Sequence, residues 1–392
     1  MFALLATITC LFSKPHITTG VWYEGGEGEF RQNVIPSDSN AASTVYLKNF
    51  QDIAAHGVEV AVVPNSPMSH HKSILEAASK AGIKLILELG HESGSLGDMV
   101  RGKMPINKEN VEQLLRRDLS PIANHPALMR VQICDEPWPQ VFGLYGQVSA
   151  IIKASKTPKP TFGCIIESGG VAEFLKTTKE DVVAFDCYPL NRDTPVGDEK
   201  ALNHFASVCE TAGTCAHEYN AEAWAVIQCH AITGSLRFPS VNELRYMTHV
   251  ALAKGCKGVF WFLYQTEWLN PEHTVSMDGL VDSAFKARPL WSEITNLTKM
   301  IREVSPLLAS LHPSEVDSEV KLSGRGLVSG LQDQSGVRYL YVVNPDVKND
   351  AIVKLSCKSY RVETVQKGYT IKDTALKLPP GGGAILRLVR TN

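Results

Sequence analysis

Short apolar, β-branched runs alternate with amphipathic stretches eight times between about residues 16 and 310 of this 392-residue chain. That alternation limits the available folds more than any single motif does. The strand-like runs fall at 16–24, 58–65, 83–90, 128–136, 160–167, 181–189, 223–230 and 257–265. Helical patterns such as NKENVEQLLRRDLSPIA and NELRYMTHVALAKG separate them, and LWSEITNLTKMIREVSPLLASL follows the eighth run. Gly57, Gly82 and Gly255 stand where a left-handed residue would stop a helix before the next strand. The runs are continuous rather than alternating in polarity, which predicts a parallel sheet buried on both faces. Eight strand–helix units in succession predict an α/β fold of the TIM, or (β/α)8, barrel type. The rival, an open doubly wound sheet, would carry a Gly-rich phosphate loop after its first strand, and no such fingerprint follows residue 24.

Beyond about residue 313 the pattern changes to short strands joined by Asn, Asp, Gly and Pro turns, among them GLVSGLQ, RYLYVVNP, AIVKLSC and GAILRLVR. The expected organisation is a lead-in or signal segment over 1–15, a barrel over 16–312 and a small antiparallel β-sandwich over 313–392. With 39 Lys+Arg against 41 Asp+Glu and no basic run, the chain lacks the electrostatic footprint of a nucleic-acid binder. No apolar stretch approaches the roughly 20 residues of a membrane span. Residues 1–13, MFALLATITCLFS, are apolar like the core of an export signal but lack its positive start. They tip the expected location toward the extracellular or periplasmic side. Cys134, Cys164, Cys187, Cys229 and Cys256 sit in or beside apolar runs, as buried thiols do, and only Cys209 and Cys215 are near enough in sequence for a local bridge.

In a (β/α)8 barrel the carboxyl ends of the strands form the working face. Read in order, those ends carry Trp22, Tyr23 and Glu24, then Asn65, Glu88 and His91, then Asp135 and Glu136. They continue with Glu167, Asp186 and Tyr188, Gln228 and His230, Trp261, Tyr264 and Gln265, and Glu267 and Trp268. Carboxylates, amides and flat rings together suit an oligosaccharide or polysaccharide: acids for proton transfer, amides for hydroxyls, rings for C–H faces. The sharpest local signal is ICDEPWP at 133–139. Adjacent acids at the end of an apolar strand are costly to bury unless paired or needed. Cover by Trp138 and the neighbouring charge would raise a carboxyl pKa toward that of a general acid. The plainer alternative is that Asp135 caps a helix and Glu136 makes an ion pair. His91-Glu92 has no second His at helical spacing, His70-His71 reads as a helix face, and no Gly-x-Ser-x-Gly elbow occurs. The Gly-Gly-x-Gly at 25–28, flanked by Glu24, Glu27 and Glu29, reads as an acidic loop rather than a phosphate cradle.

Asp135-Glu136-Pro137 resembles the Asn-Glu-Pro run that ends the fourth strand in the largest clan of (β/α)8 glycoside hydrolases. The resemblance implies that Glu136 is the acid/base. Residues 242–265 are similar to the last helix–strand unit of those enzymes, which implies Trp261 under the glycone site, and FDCYP at 185–189 is similar to their Asp-x-Tyr-Pro, which implies that Asp186 holds sugar hydroxyls. The chain departs from the clan at the seventh strand, where Gln228 stands in place of the nucleophilic Glu. Three repairs are open. Asp135 orients a substrate's own 2-acetamido group for attack, as in hexosaminidase-type families; another rim acid (Asp186, Glu167 or Glu267) serves; or the barrel only binds glycans. The expectation is hydrolysis of an O-glycosidic bond by Glu136 and Asp135, with no metal or organic cofactor. Asp186, Tyr188, Gln228, Trp261, Tyr264, Glu24, Asn65 and Glu167 are expected around the sugar. The alternative is a non-catalytic carbohydrate-binding protein on a degenerate glycosidase barrel.

Overall fold

The computed structural model describes residues 16–24, 35–36, 38–89 and 93–391. The lead-in segment, the 25–28 glycine run with Glu27 and Glu29, and His91-Glu92 lie outside the described residues. The barrel strands are β1 (Thr18–Trp22), β2 (Val60–Val63), β3 (Lys84–Glu88), β4 (Leu128–Gln132), β5 (Thr161–Phe162), β6 (Cys164–Ile166), β7 (Val182–Cys187), β8 (Glu222–Gln228) and, after a two-residue β9 (Ala231–Ile232), β10 (Gly258–Phe262). Their order is β5-β4-β3-β2-β1-β10-β8-β7-β6. β5 and β6 are two halves of one strand broken at Gly163: β5 pairs with β4 and β6 with β7, both in parallel, so the sheet returns to where it began. Gly163 also hydrogen-bonds the ring across the break, its carbonyl accepting from Ala184 N at 2.9 Å. A Cβ there would lie 2.6 Å from the Phe174 ring, which is why the break falls on a glycine.

The two-faced burial follows from strand geometry, in which successive side chains point to opposite sides. Trp22, Val60, Val62, Ile86, Phe162, Cys164, Val182, Ala184, Trp224, Val226, Phe260 and Leu263 form one apolar cluster that fills the barrel. The alternate positions, such as Val21, Ala61, Val63, Leu85, Val183, Phe185, Ile227 and Trp261, belong to a second cluster that joins strands to helices. The main helices are α1 (Ser39–Ala55), α2 (His71–Ala81), α3 (Leu96–Val100), α4 (Lys108–Leu114), α5 (Phe142–Lys153), α6 (Val171–Thr178), α7 (Glu199–Glu218), α8 (Val241–Ala253) and α9 (Pro289–Leu308). Side-chain caps set the starts of α1, α7 and α8: Asp38 on Ala41 N, Asp198 on Ala201 N, and a reciprocal Ser240–Glu243 box. Gly57, Gly82 and Gly255 all have positive φ at the helix ends.

From His312 onward the chain forms two antiparallel sheets, of five and four strands. They enclose a core that includes Leu340, Val342, Val353, Leu355, Leu376 and Leu386. This β-sandwich docks on α8. His249 Nδ1 lies 2.8 Å from the Tyr341 hydroxyl, Asn242 Nδ2 donates to Val347 O at 2.8 Å, and Tyr341, Val343 and Ile385 merge with the barrel–helix core. Among the described residues no helix is long and apolar enough to cross a membrane.

Candidate active site at the barrel rim

β4 ends at Gln132, and the chain then leaves the sheet through Ile133 and Cys134, both buried, to Asp135. Gln132 Nε2 donates to Asp135 Oδ1 at 2.7 Å, which fixes the carboxyl over the end of its own strand. Glu136 adopts a left-handed backbone, φ 41°. That turn buries Pro137 and leaves Glu136 and Trp138 outside, Trp138 being 66% exposed. Trp138 therefore does not cover the acid as expected, and the desolvation falls on Asp135 instead. Burial, followed by the charges of Glu136, Glu88, Glu24 and Asp186, pushes Asp135 up to about 8. A carboxyl with that pKa is mostly neutral at pH 7.

Asp186 reaches the same place from β7, where it alternates with the outward-facing Phe185 and Cys187. It is buried, and its Oδ1 has no hydrogen-bond partner in the protein. Burial and then the adjoining Glu136 carboxyl push it up to about 7. Glu88, the last residue of β3, accepts from Asn65 N at 3.0 Å, and Asn65 Nδ2 donates to Glu24 Oε2 at 3.3 Å. Asn65 thus bridges two buried acids from a left-handed turn, φ 54°. Glu24, Glu88, Asp135, Glu136 and Asp186 are thereby gathered at one rim, and so is Asn65.

Aromatic rings line the interior beneath them. Tyr188 lies 4.7 Å from His230 and 5.5 Å from Phe262 between ring centroids, and Phe262 lies 6.0 Å from Trp22. His230 Nδ1 is 3.0 Å from Phe262 O, so that nitrogen donates and Nε2 is left as the acceptor. Nε2 is buried without a partner, and burial lowers the imidazole to about 4, which keeps it neutral. Phe262 belongs to no motif in the sequence, and His230 stands at a strand end with no role assigned by one. The available signal was parity: with Phe260 inside, Phe262 is inside and Trp261 is not.

Other expected site residues are used elsewhere. Trp261 is wholly buried between barrel and helices, so it is no sugar platform. Tyr264 donates its hydroxyl to Asp52 Oδ2 at 2.9 Å, an oxygen it shares with Trp291 Nε1 at 3.0 Å; it braces α1 against α9 and has no face free for substrate. Gln228 is fully buried. Its Oε1 accepts from Leu190 N at 2.9 Å, while Nε2 donates to Leu190 O at 3.1 Å and Arg237 O at 2.9 Å. Its amide is spent on the main chain, which removes it from the sugar contacts expected of it. Glu167, from a left-handed turn (φ 52°), is turned out of the barrel and lies 2.9 Å from His204 Nε2. Glu267 is buried in a three-stranded sheet outside the barrel, which includes β9. Cys209 and Cys215 are both free thiols, so the suggested bridge is not formed.

The chain thus forms a parallel (β/α)8 barrel with acids at its strand ends, followed by a β-sandwich. No protein-family model and no curated protein sequence matches the chain. Solved structures do. A structure described as a glycoside hydrolase aligns over 96% of this chain and 93% of its own, at 13% identity and a TM-score of 0.59. The β-galactosidase from the psychrophilic Marinomonas ef1 aligns over 74% of this chain at 13% identity and a TM-score of 0.54, and the chain spans only 60% of that enzyme. GH5_18 from Streptomyces cattleya, in complex with GlcNAc, aligns over 74% of this chain and 81% of its own at 13% identity, with a TM-score of 0.53. At such identities the likeness is one of fold.

Proposed function

We propose that this protein hydrolyses an O-glycosidic bond in an oligosaccharide or polysaccharide at the barrel mouth. The observation that carries the reading is the meeting of Asp135, Glu136 and Asp186 beside a floor of aromatic rings, where burial and the neighbouring carboxyls raise the proton affinity of Asp135 and Asp186. Glu136, open to solvent, is the acid/base: a proton taken up from the neutral Asp135 or from water passes through it to the leaving oxygen, and it later takes one from the attacking water. Asp186, with a buried oxygen lacking any protein partner, supplies the second carboxyl that faces the anomeric carbon. Asp135 is held neutral and has an O–H to offer a sugar oxygen or Glu136. Tyr188 and Phe262 present faces to the sugar ring, and His230 Nε2 accepts from a hydroxyl. Covalent catalysis through residue 228 is closed, because a carboxamide tied to the main chain is no nucleophile.

A panel of aryl glycosides, 2-acetamido sugars included, tests the reading. Glu136→Gln should lower turnover by about 10²–10⁴-fold with folding intact, since the side chain is exposed. Turnover equal to that of the wild type in this variant overturns the assignment. The second reading, glycan binding without hydrolysis, is favoured by Gln228 standing as a structural brace where the clan has its nucleophile. Heat of binding with no released aglycone on any member of the panel would establish it.

A further inference from the structure

Outside the barrel mouth, three groups of different chemistry converge from three elements. They are the Glu167 carboxylate in the turn after β6, the Cys187 thiol at the end of β7 and the His204 imidazole on the second turn of α7. We propose that Glu167, Cys187 and His204 form a binding site for a borderline-soft divalent cation, with Zn²⁺ as the first case. Their ligand atoms all lie within 4.8 Å of one another. Thiolate, imidazole and carboxylate are the donor types zinc takes, and three of them leave a fourth position for water. Around a tetrahedral ion at ordinary bond lengths such atoms sit about 3.4–3.6 Å apart, so the wider separations need to close by up to roughly an ångström while the 2.9 Å Glu167–His204 contact opens slightly. The exposed members provide that movement: the Glu167 and His204 side chains are 50% and 49% exposed, whereas Cys187 is buried and held by its strand.

The contact already present between Glu167 Oε1 and His204 Nε2, at 2.9 Å, is a hydrogen bond whose proton a cation would replace. Cys187 gives up its thiol proton to solvent as the metal–sulfur bond forms, and the imidazole binds through Nε2 as the neutral Nδ1–H form, the bridging proton passing to Nδ1 or to solvent. One side of the site is ordered from the barrel, because Glu167 N donates to Asp186 O at 2.9 Å and Cys187 is the next residue. A bound ion would therefore pin the β6 turn, the end of β7 and α7 together. This inference is independent of glycoside hydrolysis, so failure of either leaves the other standing.

Cobalt(II) added to the chelator-treated full chain is the probe, because it reports sulfur ligation as a thiolate-to-cobalt charge-transfer band in the near-ultraviolet. The expected result is one Co²⁺ per chain with that band, displaced by Zn²⁺. The band should vanish in Cys187→Ser, and affinity should fall at least about tenfold in His204→Ala. Zn²⁺ should also raise Tm in the wild type, and by less in either variant at the same concentration. His204 is an exposed helix residue, so His204→Ala folds even where Cys187→Ser is compromised. Absence of the band, or a band and affinity unchanged in both variants, as would follow from binding at the half-buried Cys215 or Cys357, overturns the proposal.

Discussion

Replacing Asp135 with Asn isolates the electrostatics of the rim in one measurable slope. The substitution keeps the oxygen that accepts from Gln132 and removes only the titration. In the wild type, Asp135 is raised to about 8 by burial and by Glu136, Glu88, Glu24 and Asp186. An unfolded Asp titrates near 4. Between those values the unfolded chain has lost the proton and the native chain keeps it, so stability falls by about 1.4 kcal/mol per pH unit. The stabilising contribution is complete below about pH 4 and is lost as pH rises through about 8. From pH 5 to pH 7 the wild type should lose about 2–3 kcal/mol that Asp135→Asn retains, an upper figure because the mouth is partly open to water. The other rim carboxyls are common to both proteins and cancel to first order in the difference. Urea unfolding of both proteins at pH 5, 6 and 7 measures it. Stabilities that stay parallel to within about 0.5 kcal/mol over that interval would refute the claim that Asp135 is a neutral acid held by burial.

Gln228→Glu is expected to unfold the barrel locally rather than to restore a nucleophile, because it points a carboxylate oxygen at Leu190 O and Arg237 O. A loss of about 3–5 kcal/mol in thermal or urea unfolding is expected, and a well-folded variant with new hydrolytic activity would contradict the placement. Tyr264→Phe should cost about 1 kcal/mol through the lost bond to Asp52 and leave KM unchanged. A tenfold rise in KM would return that ring to the substrate site.

The barrel was legible because burial on both faces imposes continuous apolar runs, and helix stops need Gly57, Gly82 and Gly255 in a conformation other residues resist. The acid pair was legible for a local reason as well: Asp135 and Glu136 close an apolar strand ahead of a proline. Strand-end counting was less dependable. Glu167 and Asp186 both lie at strand ends, yet a left-handed turn sends Glu167 out to His204 while strand parity keeps Asp186 inside. Parity separates Trp261 from Phe262 as well, placing the tryptophan against the helices and the phenylalanine in the barrel.

What the linear sequence determined by itself is the order of strands and helices, since periodicity and capping act within a few residues of one another. Tertiary structure alone decided which acid is shielded from water and which is not. Desolvation and charge coupling depend on distances between Glu24, Glu88, Asp135 and Asp186, groups on separate strands that meet only when the ring closes. The same closure turned Gln228 toward the backbone of Leu190 and Arg237, a role no local pattern could announce.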